Sequence, residues 1–286
     1  MNKTLVEGKY GHGAIKLNPI HRYFRKRPIL ASAGEPFDWT KGYSANITIP
    51  IKDQGGSYSC GGQAGSYFLE IQRQLNGITE SLSAKSVYAP IAYPGGGTTV
   101  TALETQIGAH GANLESEVPS SQLEVDMEDT TWETPQLLLG ALTRAGYLPA
   151  DIPRDINSIA TAIRDYGAVI FEIRGQNGQI PGWTSPTPTP PSKSNPNPFW
   201  QHFICGFRAG MVNGKKTITF LNSWGSDVGV GGLQYLTEEY INSGHVIDCF
   251  TLASDRNLVP SADNQSIWAN ITRWFREQWG LANSLT

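Results

Sequence analysis

The chain has 286 residues, 16% of them charged, and a formal net charge of −3. That length is enough to bury a sizeable core without cross-links, and the charge leaves no nucleic-acid footprint. With 31 glycines and 18 prolines, the chain is rich in turns, which excludes a coiled coil or a helical repeat. A basic cluster at Arg22, Arg25, Lys26 and Arg27 has no recognition pattern around it and reads as a solvated turn. The three cysteines, Cys60, Cys205 and Cys249, are too few for a disulfide framework and too scattered for a zinc site. They fit a reducing compartment. Residues 1–18 hold no apolar signal-peptide core and no long apolar run follows. The chain is therefore expected to be cytoplasmic, or exported by a signal-peptide-independent route, with no transmembrane segment.

In chain order, residues 1–36 form a preface, basic and poorly periodic, ending in Gly34-Glu35-Pro36. A compact region is expected over 37–257. From Cys60, the positions Ala64, Tyr67 or Phe68, Ile71 and Leu75 recur at helical spacing, and the helix should stop near Asn76-Gly77. A second helix fits 98 to about 109, with Val100, Leu103 and Ile107 on one face. A third fits 155–166, with Asp155 as N-cap and Ile156, Ile159 and Ile163 inward. Residues 168–173 read as a buried strand. The prolines of 181–198 predict an extended, structureless loop insertion. Strands then fit 202–207, 217–221 and 232–236. In 258–286, Ile267, Trp268, Ile271, Trp274 and Phe275 share one helical face, expected to pack on the body or to dock on a partner or surface. A helical first half and a β-rich second half predict an α+β protein with two lobes.

The chemistry concentrates first in Gln54-Gly55-Gly56-Ser57-Tyr58-Ser59-Cys60. A cysteine opening a helix meets the positive end of the dipole and unpaired backbone N–H groups. Both favour thiolate, the nucleophilic form. Gly61 and Gly62 cost about 1 kcal/mol each in helix propensity, so something other than helix stability keeps them. On this stretch alone, a buried structural cysteine fits equally well. His202 opens an apolar strand, and Asn222-Ser223-Trp224-Gly225 follows another. Each alone reads as a structural histidine and a turn asparagine. Together with a thiol they allow an imidazole to hold the sulfur's proton and an amide to set its tautomer.

The combination resembles the papain family of cysteine peptidases. Gln54 precedes Cys60 by six residues and Ser59-Cys60 matches the family's Ser-Cys. Asn222, Ser223, Trp224, Gly225, Gly229 and Gly232 match its later motif, and His202 lies within the expected ~130–150 residues of Cys60. Asn222 falls slightly beyond it. Asp38-Trp39 resembles the mature N-terminus, and Gly96-Gly97 the pair that hydrogen-bonds substrate backbone. The chain departs at Gly61, where the family has Trp, at Tyr58 for Gly, at Val228 for the second Trp, and in lacking the family disulfide (Ser57 for the first Cys).

The resemblance implies an α+β papain-like fold, with a helical left lobe, a β-rich right lobe and the active site in the cleft between them. It implies a cysteine endopeptidase acting on peptide or protein substrates through a Cys60–His202–Asn222 thioacyl mechanism. Gln54 and the Cys60 N–H would serve the oxyanion, and Trp224 would shield the Asn222–His202 bond. Gly96, Gly97, Tyr58 and Trp224 would line the substrate site, with no metal or cofactor. Residues 1–36 become a possible short pro-segment that crosses the cleft or packs away from it. A silent peptide-binding homologue and a transglutaminase-type acyl transferase remain alternatives.

Overall fold

The computed structural model describes residues 11, 13–15, 36–145, 148–178 and 180–253. The first helix, α1 (Cys60–Leu75), runs where the periodicity places it and buries every side from Cys60 to Gln72. Such a helix must be central, and its glycines explain how. A Cβ on Gly62 would stand 2.4 Å from the carbonyl oxygen of Ala84, and one on Gly61 2.4 Å from Thr98 Cγ2. Close approach, not helix propensity, requires them.

Short helices surround it: α2 (Ala84–Tyr88), capped by Ser83; α3 (Val100–Thr105), capped by Thr99 and running into a wider turn to His110; α4 (Glu124–Met127); and α5 (Pro135–Leu142), capped by Thr134. Val100, Leu103 and Ile107 are fully buried, as their spacing predicts. The helix starts two residues later than the pattern, because Thr99 takes the cap. Helices α2, α4 and α5 escape the periodicity reading because each is under three turns.

The second half is one antiparallel sheet. After β1 (Tyr43–Ser44) and β2 (Leu148–Asp151) come α6 (Ile156–Tyr166), β3 (Val169–Gln176), α7 (Ile180–Trp183), β4 (Phe199–Val212), β5 (Lys215–Leu221), β6 (Leu233–Thr237), α8 (Glu238–Asn242) and β7 (Val246–Ala253). The order is β2-β7-β3-β4-β5-β6, with β1 on β4. Asp155 caps α6 as expected, accepting from Asn157 and Ser158 amides.

Both sheet faces are covered. Phe203, Cys205 and Phe207 of β4 join the core around α1, while Trp200 and Ile204 join the core that holds Ile156, Ile159 and Ile163 of α6. Strand alternation thus feeds two cores from one strand, and the architecture is the α+β, two-lobed one that the element order implies.

The loop over 181–198 is not structureless. Its first residues belong to α7, and Trp183 is fully buried against Trp200, Trp224 and Tyr240. A proline-rich segment has few N–H donors but keeps its carbonyls, which need donors from elsewhere. Buried glutamines supply them. Gln176 Nε2 donates to the carbonyls of Asn195 and Asn197, and Gln234 does the same for Trp183 and Ser185. The amphipathic face expected near 267–278 lies outside the described residues. Among those described, no helix is long and apolar enough to cross a membrane.

Candidate active site

Residues 52–54 pair with 223–225. The Gln54 amide donates to the Ser223 carbonyl at 2.8 Å and the Gly225 amide to the Lys52 carbonyl at 3.2 Å. This pairing brings the segment before Cys60 to the segment that carries Asn222. Tyr67 of α1 locks it: its hydroxyl accepts from the Lys52 amide and donates to the Asn222 carbonyl.

Gln54 is fully buried and its amide sense is set from both ends. Oε1 accepts from the Ser223 hydroxyl at 2.5 Å, so Nε2 turns the other way, donating to the carbonyls of Ser57 at 2.7 Å and Gly11 at 3.0 Å. His202 and Asn222 are equally buried, with His202 Nε2 2.9 Å from Asn222 Oδ1. The Trp224 indole lies over the imidazole, centroids 4.8 Å apart and planes tilted by 35°. The two residues that the sequence pairs as base and orienter are therefore in contact under an aromatic cover. Phe203, next to His202, turns its backbone amide to the Cys60 sulfur.

The thiol is not in the state the helix-dipole argument predicts. Cys60 is fully buried, and burial pushes its pKa from the ordinary 9.0 up to about 11, outweighing the backbone amides of Phe203, Gly13 and Gly61, which favour the thiolate. Desolvation penalises the charged form more than these donors reward it.

The cover comes from the preface. The Gly13 amide donates to Cys60 Sγ at 3.2 Å, the Gly11 amide to the Gly55 carbonyl at 3.1 Å, and the Gly11 carbonyl accepts from Gln54. Ala14 forms a parallel bridge with Thr98: the Thr98 amide donates to Gly13 and the Ile15 amide donates to Thr98, both at 2.7 Å. A Cβ at Gly11 would stand 1.8 Å from the Ser57 oxygen and one at Gly13 1.6 Å from the Tyr58 oxygen. Only glycines lie this close to those two carbonyls.

The backbone edge that this segment uses is Thr98, not the predicted Gly96-Gly97 pair. The Gly96 amide is committed to the Tyr93 carbonyl, and Gly97 donates to the Tyr88 hydroxyl and accepts from the Tyr93 amide. With φ near +90° at both, this turn instead offers Thr98 outward. Tyr58, half-buried, donates its amide to Glu124 Oε2, while the Tyr88 hydroxyl donates to Glu124 Oε1 at 2.6 Å. Burial holds the Glu124 carboxyl above the usual carboxylate range. Glu124, Tyr88 and Thr98 thus frame the site without any motif to mark them. Glu124 meets Tyr58 across 66 residues of sequence, and no local pattern reports such a contact.

Cys205 and Cys249 are buried within the sheet, and desolvation raises both thiols as expected. In the intact chain, then, no thiol is fast. Alkylation of Cys60 by iodoacetamide should be slow at neutral pH and rise with pH towards about 11. The sign is that of an acid raised in the folded state. The protonated thiol favours the fold below pH 9, and that contribution is lost as pH climbs from 9 towards 11. Labelling at neutral pH at the rate of an exposed thiol would contradict the seated segment.

No family model and no curated protein matches the chain in sequence. Solved structures do match in shape. Xylellain, a cysteine protease from Xylella fastidiosa, aligns with a TM-score of 0.69 at 15% identity, over 86% of this chain and 96% of its own. Procathepsin L 3 from the Tenebrio molitor larval midgut aligns at 0.62 and 20%, over 79% and 73%. The ragweed pollen allergen Amb a 11, a cysteine protease in its proform, aligns at 0.58 and 19%, over 86% and 71%.

The fold is that of the papain-like cysteine proteases. Within it, the departures at Gly61 and Val228 have packing reasons. Gly61 faces Thr98 and Phe203 too closely for a larger side chain, and Val228 is buried in the core cluster that also holds Trp224 and Trp183. Neither removes a polar group from the Cys60–His202–Asn222 arrangement.

Proposed function

We propose that the chain is a cysteine peptidase, kept latent by residues 11–15 of its own preface. One observation carries this reading. Cys60 Sγ accepts from the backbone amide of Gly13 and Gln54 Nε2 donates to the backbone carbonyl of Gly11, while Phe203, next to the bonded pair His202–Asn222, turns its amide to the same sulfur. A peptide carbonyl in that place would offer its carbon to the thiolate and its oxygen to Gln54 and the Cys60 amide. Each such donor is worth roughly 3–4 kcal/mol in comparable sites.

In the working site, His202 takes the thiol proton, Cys60 attacks the carbonyl carbon, and the imidazolium returns the proton to the leaving amine. Water then cleaves the thioester with His202 as base. Asn222 Oδ1 accepts from Nε2 throughout and so keeps Nδ1 available for the sulfur.

The seated segment supports latency on chemical grounds. What meets the sulfur is the Gly13 N–H, a donor, and not an electrophilic carbon. The segment fills the site without offering a bond to cut. The substrates would be peptides or proteins paired along Thr98, with Tyr58 and Trp224 bordering them.

The test is hydrolysis of a fluorogenic peptide by a chain starting at Gly34, with mass spectrometry to find an epoxide-labelled cysteine. Cleavage together with label on Cys60 supports the peptidase. Labelling without cleavage favours the silent peptide-binding homologue. Amide product formed with an added amine favours the acyl transferase.

Within this reading, Asn222→Ala should lower turnover about 10- to 100-fold, whereas His202→Ala should cost about 10⁴-fold or more. Steady-state kinetics at constant fold, checked by circular dichroism, measures both. Equal and complete loss in the two variants would mean that Asn222 does more than orient the ring.

A further inference from the structure

Gln234 sits in β6 on the same inward face as Leu236, a position where strand alternation calls for an apolar side chain, yet it is fully buried. An amide in such a place is costly unless all its polar atoms are bonded. They are. Nε2 donates to the Trp183 carbonyl at 2.5 Å and to the Ser185 carbonyl at 2.8 Å, and Oε1 accepts from Asn222 Nδ2 at 2.7 Å.

Carbonyl oxygens only accept, so the sense of the Gln234 amide is fixed by the two backbone groups that it caps. The Ser223 amide, which donates to Asn222 Oδ1 at 2.8 Å, demands the same sense from the other side. Gln234 Oε1 must face Asn222, so Asn222 must present Nδ2 to it. Asn222 Oδ1 then points away, accepting from the Ser223 amide at 2.8 Å and facing His202 Nε2 at 2.9 Å. Nε2 is thereby the protonated nitrogen, and Nδ1 carries the lone pair.

We infer that Gln234 is a positioning residue for the catalytic dyad. It passes the orientation of the Trp183 and Ser185 carbonyls, in the proline-rich loop, through Asn222 to the tautomer of His202. The consequence for turnover rests on the peptidase reading above; the consequence for the tautomer does not.

The experiment therefore reads the tautomer first. The full chain is labelled with ¹⁵N-histidine and the ring nitrogens of His202 are assigned by long-range ¹H–¹⁵N spectra, in the unaltered protein and in Gln234→Met and Gln234→Glu. The unaltered protein should show His202 protonated at Nε2. Gln234→Met keeps the side-chain length and removes the acceptor, so Asn222 Nδ2 is left buried without its partner and only the Ser223 amide still holds Oδ1 toward the ring. Nδ1–H should then be substantially populated.

Gln234→Glu keeps an oxygen for Asn222 Nδ2 while losing at least one donor to the loop carbonyls. Its melting temperature should fall, yet His202 should stay protonated at Nε2. A residue that merely holds the fold together would make the tautomer follow stability across both variants. In the Gly13→Leu background, which frees the site, Gln234→Met should lower kcat about tenfold with KM nearly unchanged. Retention of the Nε2–H tautomer in Gln234→Met, or its loss in folded Gln234→Glu, would overturn the assignment. If Gln234→Met does not fold, Gln234→Leu, which also removes the acceptor from Asn222 Nδ2, takes its place in the same comparison. Absence of peptidase activity in every form would count against the proposed function and leave the tautomer result standing.

Discussion

Cys60→Ala is expected to abolish peptide hydrolysis, by about a millionfold, while leaving the fold intact. The size follows from the nucleophile's role in the proposed mechanism: with Sγ gone that mechanism has no covalent intermediate, and His202 and Asn222 have nothing to activate. The fold survives because the sulfur contributes little to packing that a methyl group does not replace. It lies at the first turn of α1, where backbone N–H groups of Phe203, Gly61 and Gly13 surround it. Losing one buried sulfur should cost on the order of 1 kcal/mol. Thermal melting and turnover on a fluorogenic peptide, measured on the same preparation, check both halves. Residual hydrolysis above about a hundredth of the unaltered rate would mean that another group is the nucleophile.

Gly13→Leu should do the opposite and activate the intact chain. The would-be Cβ lies 1.6 Å from the Tyr58 carbonyl oxygen and 2.5 Å from its carbon, so the overlap is with backbone and no rotamer relieves it. The segment has to leave. Its departure breaks the hydrogen bonds of Gly11, Gly13 and Ile15 with Gly55, Gln54, Cys60 and Thr98.

Each such bond is worth about 0.5–1.5 kcal/mol net. Releasing several of them should therefore raise turnover on a short peptide by about 100-fold. A chain starting at Gly34 should match it, and free peptide of the 1–33 sequence should reverse the gain. The thiol reports the same event, because water returns to the sulfur and the desolvation that holds its pKa near 11 is relieved. The alkylation profile of Cys60 should move to lower pH. Equal catalytic efficiency in the unaltered chain and in Gly13→Leu, with both folded, would refute the latch.

The family resemblance leaves the preface open between a short pro-segment and an arm packed elsewhere. Gly11 and Gly13 decide it, because two glycines one residue apart permit backbone to lie directly against backbone. That spacing has meaning only once Ser57 and Tyr58 are known to lie opposite, and nothing local places them there.

What sequence alone determined here is whatever depends on near neighbours. The apolar spacing and the Asn76-Gly77 stop define α1, Asp155 defines the start of α6, and the order of elements defines an α+β chain. The motifs around Gln54, Cys60, His202 and Asn222 carry the resemblance to the papain family, and through it the chemistry proposed above.

Tertiary structure decided whatever depends on burial and on partners distant in sequence. The helix N-terminus argues for a thiolate at Cys60, but desolvation by burial outweighs it. Gly96 and Gly97 resemble a substrate edge, but the Gly96 amide and both polar groups of Gly97 are bonded within their own neighbourhood, and the seated segment pairs with Thr98 instead. Prolines argue for a loose loop over 181–198, yet its carbonyls take the donors of Gln176 and Gln234 and its tryptophan enters the core. A hydrogen bond such as that from Asn222 to Gln234 has no periodicity and leaves no composition bias. Its sense is fixed by backbone groups at both ends, the Ser223 amide beside Asn222 and the Trp183 and Ser185 carbonyls, which the fold brings to Gln234.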